Sequence, residues 1–130
     1  MKQQITRGNI YYADLGKTIG SEQSGVRPSL IVQNDVGNLH SPTTQIIPLT
    51  TQPKKASLPT HVRISPTCGL DSASIALAEQ LRTIDKSRLD VYIGRISPEE
   101  QTTVNRAMLI SLGMDTPSPE AETNALGVVA

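Results

Sequence analysis

Apolar and polar positions along the chain fall into short β-type runs that end in one helical stretch. After the turn Arg7-Gly8-Asn9, the segment Ile10-Tyr11-Tyr12-Ala13-Asp14-Leu15 reads as a first strand on its β-rich composition. Leu30-Ile31-Val32 is a branched apolar run that marks residues 29–34 as a buried second strand. Asp35-Val36-Gly37-Asn38 and Ser41-Pro42 carry breaker residues. A third strand is expected over residues 45–51, with Pro48 suited to an edge or a bulge. Pro53-Lys54-Lys55 reads as a turn, and Val62 and Ile64 alternate as a fourth strand. Residues 74–84 alternate small or apolar with polar residues. The turn Gly69-Leu70-Asp71 before them and the β-branched Thr83-Ile84 at their end favour strand over helix. Residues 85–89 suit one helical turn, and residues 91–96 a further strand.

The last element is a helix. Ser97 stands at the N-cap position, Pro98 at the first helical position, and Glu100 three residues after the cap. Val104, Ala107, Met108 and Leu112 then recur at helical spacing with Ile110 alongside, and Gly113 ends the run. One face of this helix should lie on the sheet. Pro117, Pro119 and the acids that follow Met114 read as a disordered acidic tail over residues 115–130, leaving residues 1–114 as one domain. The expected class is α+β and mainly β: a small barrel-like or strongly bent sheet with a C-terminal helix.

Composition sharpens this picture. The apolar share is 37% and the aromatic share 2%, with no Phe and no Trp. The core must be built from Ile, Leu, Val and Ala, with Tyr11, Tyr12 and Tyr92 as its only aromatics. A chain so poor in rings offers few platforms for stacking bases. Net charge is zero, but all 12 basic residues lie in 1–114 against 9 of the 12 acids, so that part carries +3 and the tail is acidic. Such a body can accept a polyanion on one face. Cys68 is alone, which excludes an internal disulfide and suits a reducing compartment. MKQQITRGN has no signal-like apolar core, and no apolar run approaches the roughly 20 residues of a spanning helix. A soluble, cytoplasmic protein is expected.

Candidate chemistry centres on residues 16–28, a 13-residue connection long enough to be functional. Gly20-Ser21-Glu22-Gln23-Ser24-Gly25 is a polar, glycine-bounded loop, and Pro28 biases Arg27 away from helix. No metal constellation is visible, because His40 and His61 are far apart and neither lies at ligand spacing from Cys68. The loop also lacks the Gly-Lys-Ser/Thr ending of a phosphate loop. Glu22, Arg27, Thr50, His61, Glu79 and Arg82 remain. Arg27 reads either as a surface ion-pair partner of an acid such as Glu22, or as a phosphate clamp. Thr50 is otherwise an ordinary strand residue, Glu79-Gln80 a solvent-facing pair, and His61 a half-buried strand residue. Unaided, the set gives a hint of an anion site and no more.

Arg7-Gly8-Asn9-Ile10-Tyr11, GSEQSGVRPSLIVQND (residues 20–35), residues 46–51, LPTHV (residues 58–62) and AEQLRTID (residues 78–85) resemble the MazF/PemK family of toxin endoribonucleases, closest to its Gram-positive MazF type. The resemblance covers roughly residues 5–114. It implies an SH3-like barrel with a C-terminal helix, working as a homodimer without metal or other cofactor. It implies sequence-specific cleavage of single-stranded RNA and inhibition by a cognate MazE-like antitoxin. By matched position it makes Arg27 and Thr50 the catalytic pair and Glu22 the loop acid grouped with them. Ser21, Gln23, Leu58, His61, Glu79 and Gln80 fall where RNA is bound. Some PemK-type members carry a catalytic His where this chain has Ser21, and a catalytic Arg where it has Leu77. Their replacement shifts weight onto Arg27 and Thr50.

Metal-free RNA cleavage uses the 2′-hydroxyl as nucleophile and needs a proton acceptor, charge stabilisation at phosphorus and a proton for the leaving oxygen. Arg27 suits the charge role and is a poor proton shuttle. Glu22 is the nearby residue type able to accept a proton, and the full proton inventory stays open. Two other readings fit the same barrel: a non-catalytic toxin of the gyrase-poison CcdB kind, with Arg27 as an interface anchor, and a plain RNA-binding module. Discrete RNA fragments separate them from the nuclease.

Overall fold

The computed structural model describes residues 4–52 and 58–117. The turn expected at Pro53-Lys54-Lys55 and the tail beyond residue 117 lie outside the described residues. Seven strands and two helices follow in the order β1 (Asn9–Asp14), β2 (Val26–Ile31), α1 (Asp35–His40), β3 (Thr43–Thr50), β4 (His61–Ile64), β5 (Ser74–Leu77), β6 (Arg82–Asp85), β7 (Leu89–Arg95) and α2 (Pro98–Ser111). All pairings are antiparallel. The strands run β4-β5-β3-β2-β1-β7, with β6 also paired to β3. The sheet is barrel-like and bent but does not close, so the expected mainly β architecture with a C-terminal helix holds.

Alternation along the strands produces two apolar layers. Ile10, Leu30, Ile47, Leu49, Val62 and Ile64 pack with Val104 and Ala107 of α2. Tyr11, Ala13, Leu15, Ile31, Ile46 and Ile84 form the layer on the other side. Tyr11 is the one tyrosine in the core. Tyr12 and Tyr92 are exposed, and the Tyr92 ring meets Tyr11 edge-on at 5.4 Å between centroids. The three-tyrosine core expected from composition is corrected accordingly.

The α2 start is as the sequence predicts. Ser97 accepts from the Glu100 N–H at 3.1 Å, while the Glu100 carboxylate accepts from the Ser97 N–H at 2.9 Å, a complete capping box. Leu112, expected on the buried face, is exposed because it caps the helix beyond its last packed turn.

Four local readings are corrected. The segment read as breakers forms α1: Asn34 caps it by accepting from the Gly37 N–H at 2.7 Å. Buried Asn38 anchors it through Gln33, Asp35 and Thr44. β2 begins three residues earlier than expected, so Arg27 and Pro28 lie on the strand and not in the loop. The single strand expected over residues 74–84 is two strands separated by a 3₁₀ turn, Ala78–Gln80. Pro48 lies inside the sheet and not at its edge, opposite Ser29 of β2. Its missing N–H is tolerated because β3 changes partners there, leaving β6 after Ile46 and meeting β5 at Leu49.

Candidate active site

β2 and β3 bring the two catalytic candidates together. Their ladder runs from Ile31 opposite Ile46 to Ser29 opposite Pro48 and then stops. Continuing that register by two residues sets Arg27 facing Thr50, at the mouth where the strands part. Both residues line one cleft of about 260 Å³, together with Ser21, Glu22, Gln23 and Gln52. Arg27 is half-buried and its Nε donates to the Ser24 carbonyl at 3.0 Å. That bond fixes the guanidinium plane and leaves the Nη groups to the cleft. The ion pairs among the described residues are His61–Glu79 and Arg106–Asp115, so the Arg27–Glu22 surface pair is not formed. Thr50 is buried, and its Oγ1 accepts from the Gln52 N–H at 3.1 Å. With that lone pair engaged, the hydroxyl proton is available to donate.

The loop between β1 and β2 forms the cleft's outer wall. Its neck is closed by the Leu15 N–H donating to the Gly25 carbonyl at 2.8 Å and the Gly25 N–H donating to the Gly16 carbonyl at 2.9 Å. Gly20 and Gly25 turn the chain at φ of +59° and +72°, which side chains rarely adopt. Glu22 holds the tip: its carboxylate accepts from the Ile19 N–H at 3.2 Å, and its carbonyl accepts from the Thr18 hydroxyl at 2.9 Å. One carboxylate oxygen therefore serves the loop itself.

On the other side of the loop lies a recess of about 470 Å³, whose walls include Lys17, Glu22, Gln23, Pro48, Glu79, Gln80 and Arg82. Glu22 and Gln23 thus face both cavities. The Gln23 side-chain oxygen is buried and has no hydrogen-bond partner among the described residues. Glu79, partly exposed, meets the buried His61 ring at 2.8 Å. Gln80 turns its carboxamide onto the loop backbone, at Ser21 and Gln23. Arg82 donates to the Leu15 carbonyl at 3.3 Å and lines the recess.

Of the residues singled out from sequence, Ser21, Glu22, Gln23, Arg27 and Thr50 therefore meet in the cleft, and Glu79, Gln80 and Arg82 line the recess. His61 joins through Glu79. Leu58 contributes to neither wall; it precedes β4, its carbonyl accepting from the His61 N–H at 3.0 Å. Lys17 and Gln52 were missed, although Lys17 lies within the 16–28 connection and Gln52 two residues after Thr50. Among the described residues no three His, Cys, Asp or Glu side chains cluster at metal-binding distance. No described helix is long and apolar enough to cross a membrane.

The groups whose titration the fold displaces are not walls of either cavity. Burial and the Tyr92 phenol push Tyr11 up, and burial pushes the Cys68 thiol up with Glu100 adding to it. Hydrogen bonds from Ser87 hold the Asp85 carboxyl below its usual range.

Comparison with known proteins bears on the whole domain. The model of the PemK-like, MazF-like toxins of type II toxin–antitoxin systems matches residues 6–112. Endoribonuclease EndoA of Bacillus subtilis is 47% identical over 111 residues, which are 85% of this chain and 96% of the relative. Endoribonuclease MazF of Staphylococcus saprophyticus is 46% identical over 113 residues, 86% of this chain and 94% of that protein. The solved structure of an endoribonuclease in complex with its cognate antitoxin, from mycobacterial species, superposes with a TM-score of 0.69 at 29% identity, covering 89% of this chain and 100% of that one. The match spans the sheet, both cavity walls and all of α2, so the chain belongs to the PemK-like, MazF-like toxin family of type II toxin–antitoxin systems.

Proposed function

We propose that this chain is the toxin of a type II toxin–antitoxin pair and acts as a sequence-specific, metal-independent endoribonuclease on single-stranded RNA. The observation that carries this reading is the meeting of Arg27 and Thr50 across the β2–β3 opening, in a cleft walled by a polar loop. A guanidinium that pairs with no carboxylate among the described residues, beside a hydroxyl whose proton is available, is a preorganised donor set for a phosphoryl oxygen.

In the reaction the substrate's 2′-oxygen loses its proton and bonds to phosphorus, the bond from phosphorus to the 5′-oxygen breaks, and that oxygen takes a proton. The products are a 2′,3′-cyclic phosphate and a free 5′-hydroxyl. Arg27 stabilises the charge that grows on the equatorial oxygens, and Thr50 donates to one of them. The carboxylate oxygen of Glu22 not used by the loop is the candidate proton acceptor. The recess reads the neighbouring bases by their edges. The unpartnered Gln23 oxygen gains a hydrogen bond when a base amino or imino group enters, and a base lacking that donor leaves it unpaired.

Two partners belong to the same reading. A second copy of the chain fits the exposed apolar side chains Leu109, Leu112 and Met114 at the end of α2, which a homodimer would cover. A cognate antitoxin follows from the family. Sedimentation showing a 14.0 kDa species at micromolar concentration would remove the homodimer.

The test is to incubate the protein with a long RNA in EDTA and map the cut sites by primer extension. Discrete fragments sharing one short motif are expected, with double-stranded RNA spared. Absence of fragments overturns the nuclease, and cleavage that stops in EDTA and returns with magnesium overturns metal independence.

A further inference from the structure

Gln80 does not face the recess as a free base-reading amide. Its Oε1 accepts from the Gln23 N–H at 2.8 Å, and its Nε2 donates to the Ser21 carbonyl at 3.2 Å. Both partners are backbone groups of the active-site loop, on either side of Glu22. We infer that Gln80 is a positioning residue for RNA cleavage, which fixes the wall between cleft and recess; this rests on the nuclease reading above.

The anchor is packed into the core where the loop is not. Gln80 ends the 3₁₀ turn Ala78–Gln80, whose Ala78 is buried against α2 and β4. The Ala78 N–H donates to the Thr60 carbonyl at 3.0 Å, and the Leu81 N–H donates to the Ala78 carbonyl at 3.3 Å. The loop, by contrast, is bonded mainly to itself. Beyond its neck, its hydrogen bonds to the rest of the described chain are the two from Gln80 and the one from Arg27 to Ser24. Ile19 at its tip is 84% exposed and adds no packing. Without Gln80, the segment bearing Ser21, Glu22 and Gln23 would hang on its neck and on Arg27.

A carboxamide has one oxygen and two N–H groups. Gln80 gives one lone pair of that oxygen and one N–H to the loop, so the loop backbone sets the plane and direction of its carboxamide before RNA arrives. Holding Gln23 by its backbone also fixes where the unpartnered Gln23 oxygen sits. The residue therefore acts through Ser21–Gln23 on both cavities, and its loss should slow the chemical step and narrow the discrimination made by the Gln23 oxygen, leaving the order of preferred bases as it was.

Gln80→Met keeps the side-chain length and removes both bonds; Gln80→Glu keeps the acceptor for the Gln23 N–H and removes the donor to Ser21. Amide hydrogen exchange of Gln23 in the RNA-free protein reads the clamp directly, independently of whether the protein cuts RNA. Exchange should speed up roughly tenfold or more in Gln80→Met and less in Gln80→Glu. On a cognate oligonucleotide kcat should fall in the same order, with the ranking of single-base substrate variants unchanged. Gln23 protection unchanged in Gln80→Met would overturn the clamp. Loss of discrimination at one base position, with protection intact, would make Gln80 a base reader instead.

Discussion

Replacing Arg27 by alanine separates the catalytic from the structural worth of one side chain. In the folded protein its only described hydrogen bond is Nε to the Ser24 carbonyl at 3.0 Å, and it has no carboxylate partner among the described residues. Losing one such bond from a half-buried site costs about 1 kcal/mol. That is small beside the roughly 5–15 kcal/mol stability of an ordinary domain, so the mutant stays folded. Losing a preorganised donor to transition-state charge costs more, on the order of 100- to 1,000-fold in rate, or about 3–4 kcal/mol. Arg27→Lys should lie between, since it keeps the charge but loses the fork and the Nε bond to Ser24. Single-turnover cleavage of a cognate RNA oligonucleotide measures the rate, and a urea melt measures stability. Cleavage by Arg27→Ala at near the parent rate would refute the clamp. A stability loss large enough to unfold the variant would instead contradict the small structural cost assigned to the Ser24 bond.

Thr50→Val keeps the shape of a buried side chain but removes the acceptor for the Gln52 N–H and the donor to phosphate. It should lose about 1 kcal/mol of stability and at least tenfold in rate, and parent-like cleavage would exclude a catalytic hydroxyl. Gly94→Ala would set its Cβ on the Cys68 carbonyl oxygen, backbone against backbone. It should cost roughly 3 kcal/mol or more, read as a clear fall in melting temperature; an unchanged melt would show that the 66–69 turn shifts freely. The Asp85 carboxyl titrates below its ordinary 3.8 because Ser87 hydrogen-bonds its charged form. A depressed carboxyl stabilises the fold above its unfolded pKa, and that contribution fades as pH falls through the lower folded value. Asp85→Asn should therefore flatten the acid limb of the stability curve below about pH 4, and an identical limb in both proteins would contradict the Ser87 bonds.

The strands were legible where packing is periodic, and lost where it is set from a distance. Residues 10–15 alternate between two apolar layers, which composition shows at once. Pro28 suggested the end of a loop, yet it lies opposite Tyr12 in a paired strand, because losing one donor does not stop a ladder. The 3₁₀ turn at Ala78–Gln80 has no Gly or Pro to announce it. It forms because β5 and β6 share one edge of β3 and need a step between them. Helix α1 was missed because its anchor is the buried, fully bonded Asn38 and not an apolar face.

The site was named residue by residue but not assembled. Nothing in the order of the chain brings Arg27 to Thr50; the β2–β3 register does. Residue type also could not tell that Gln80 binds a loop backbone while Gln23 keeps an unpartnered oxygen, because both are glutamines beside glutamates. One strand links the two cavities. β3 puts Thr50 in the cleft and Pro48 in the wall of the recess, and it changes partners between Ile46 and Leu49. That change of partners lets one strand wall both the recess and the cleft. Pro48, which lacks an N–H to hold a straight ladder, is the residue type that allows it. The feature that looked like a flaw in a strand is thus part of the geometry that joins the recess to the cleft.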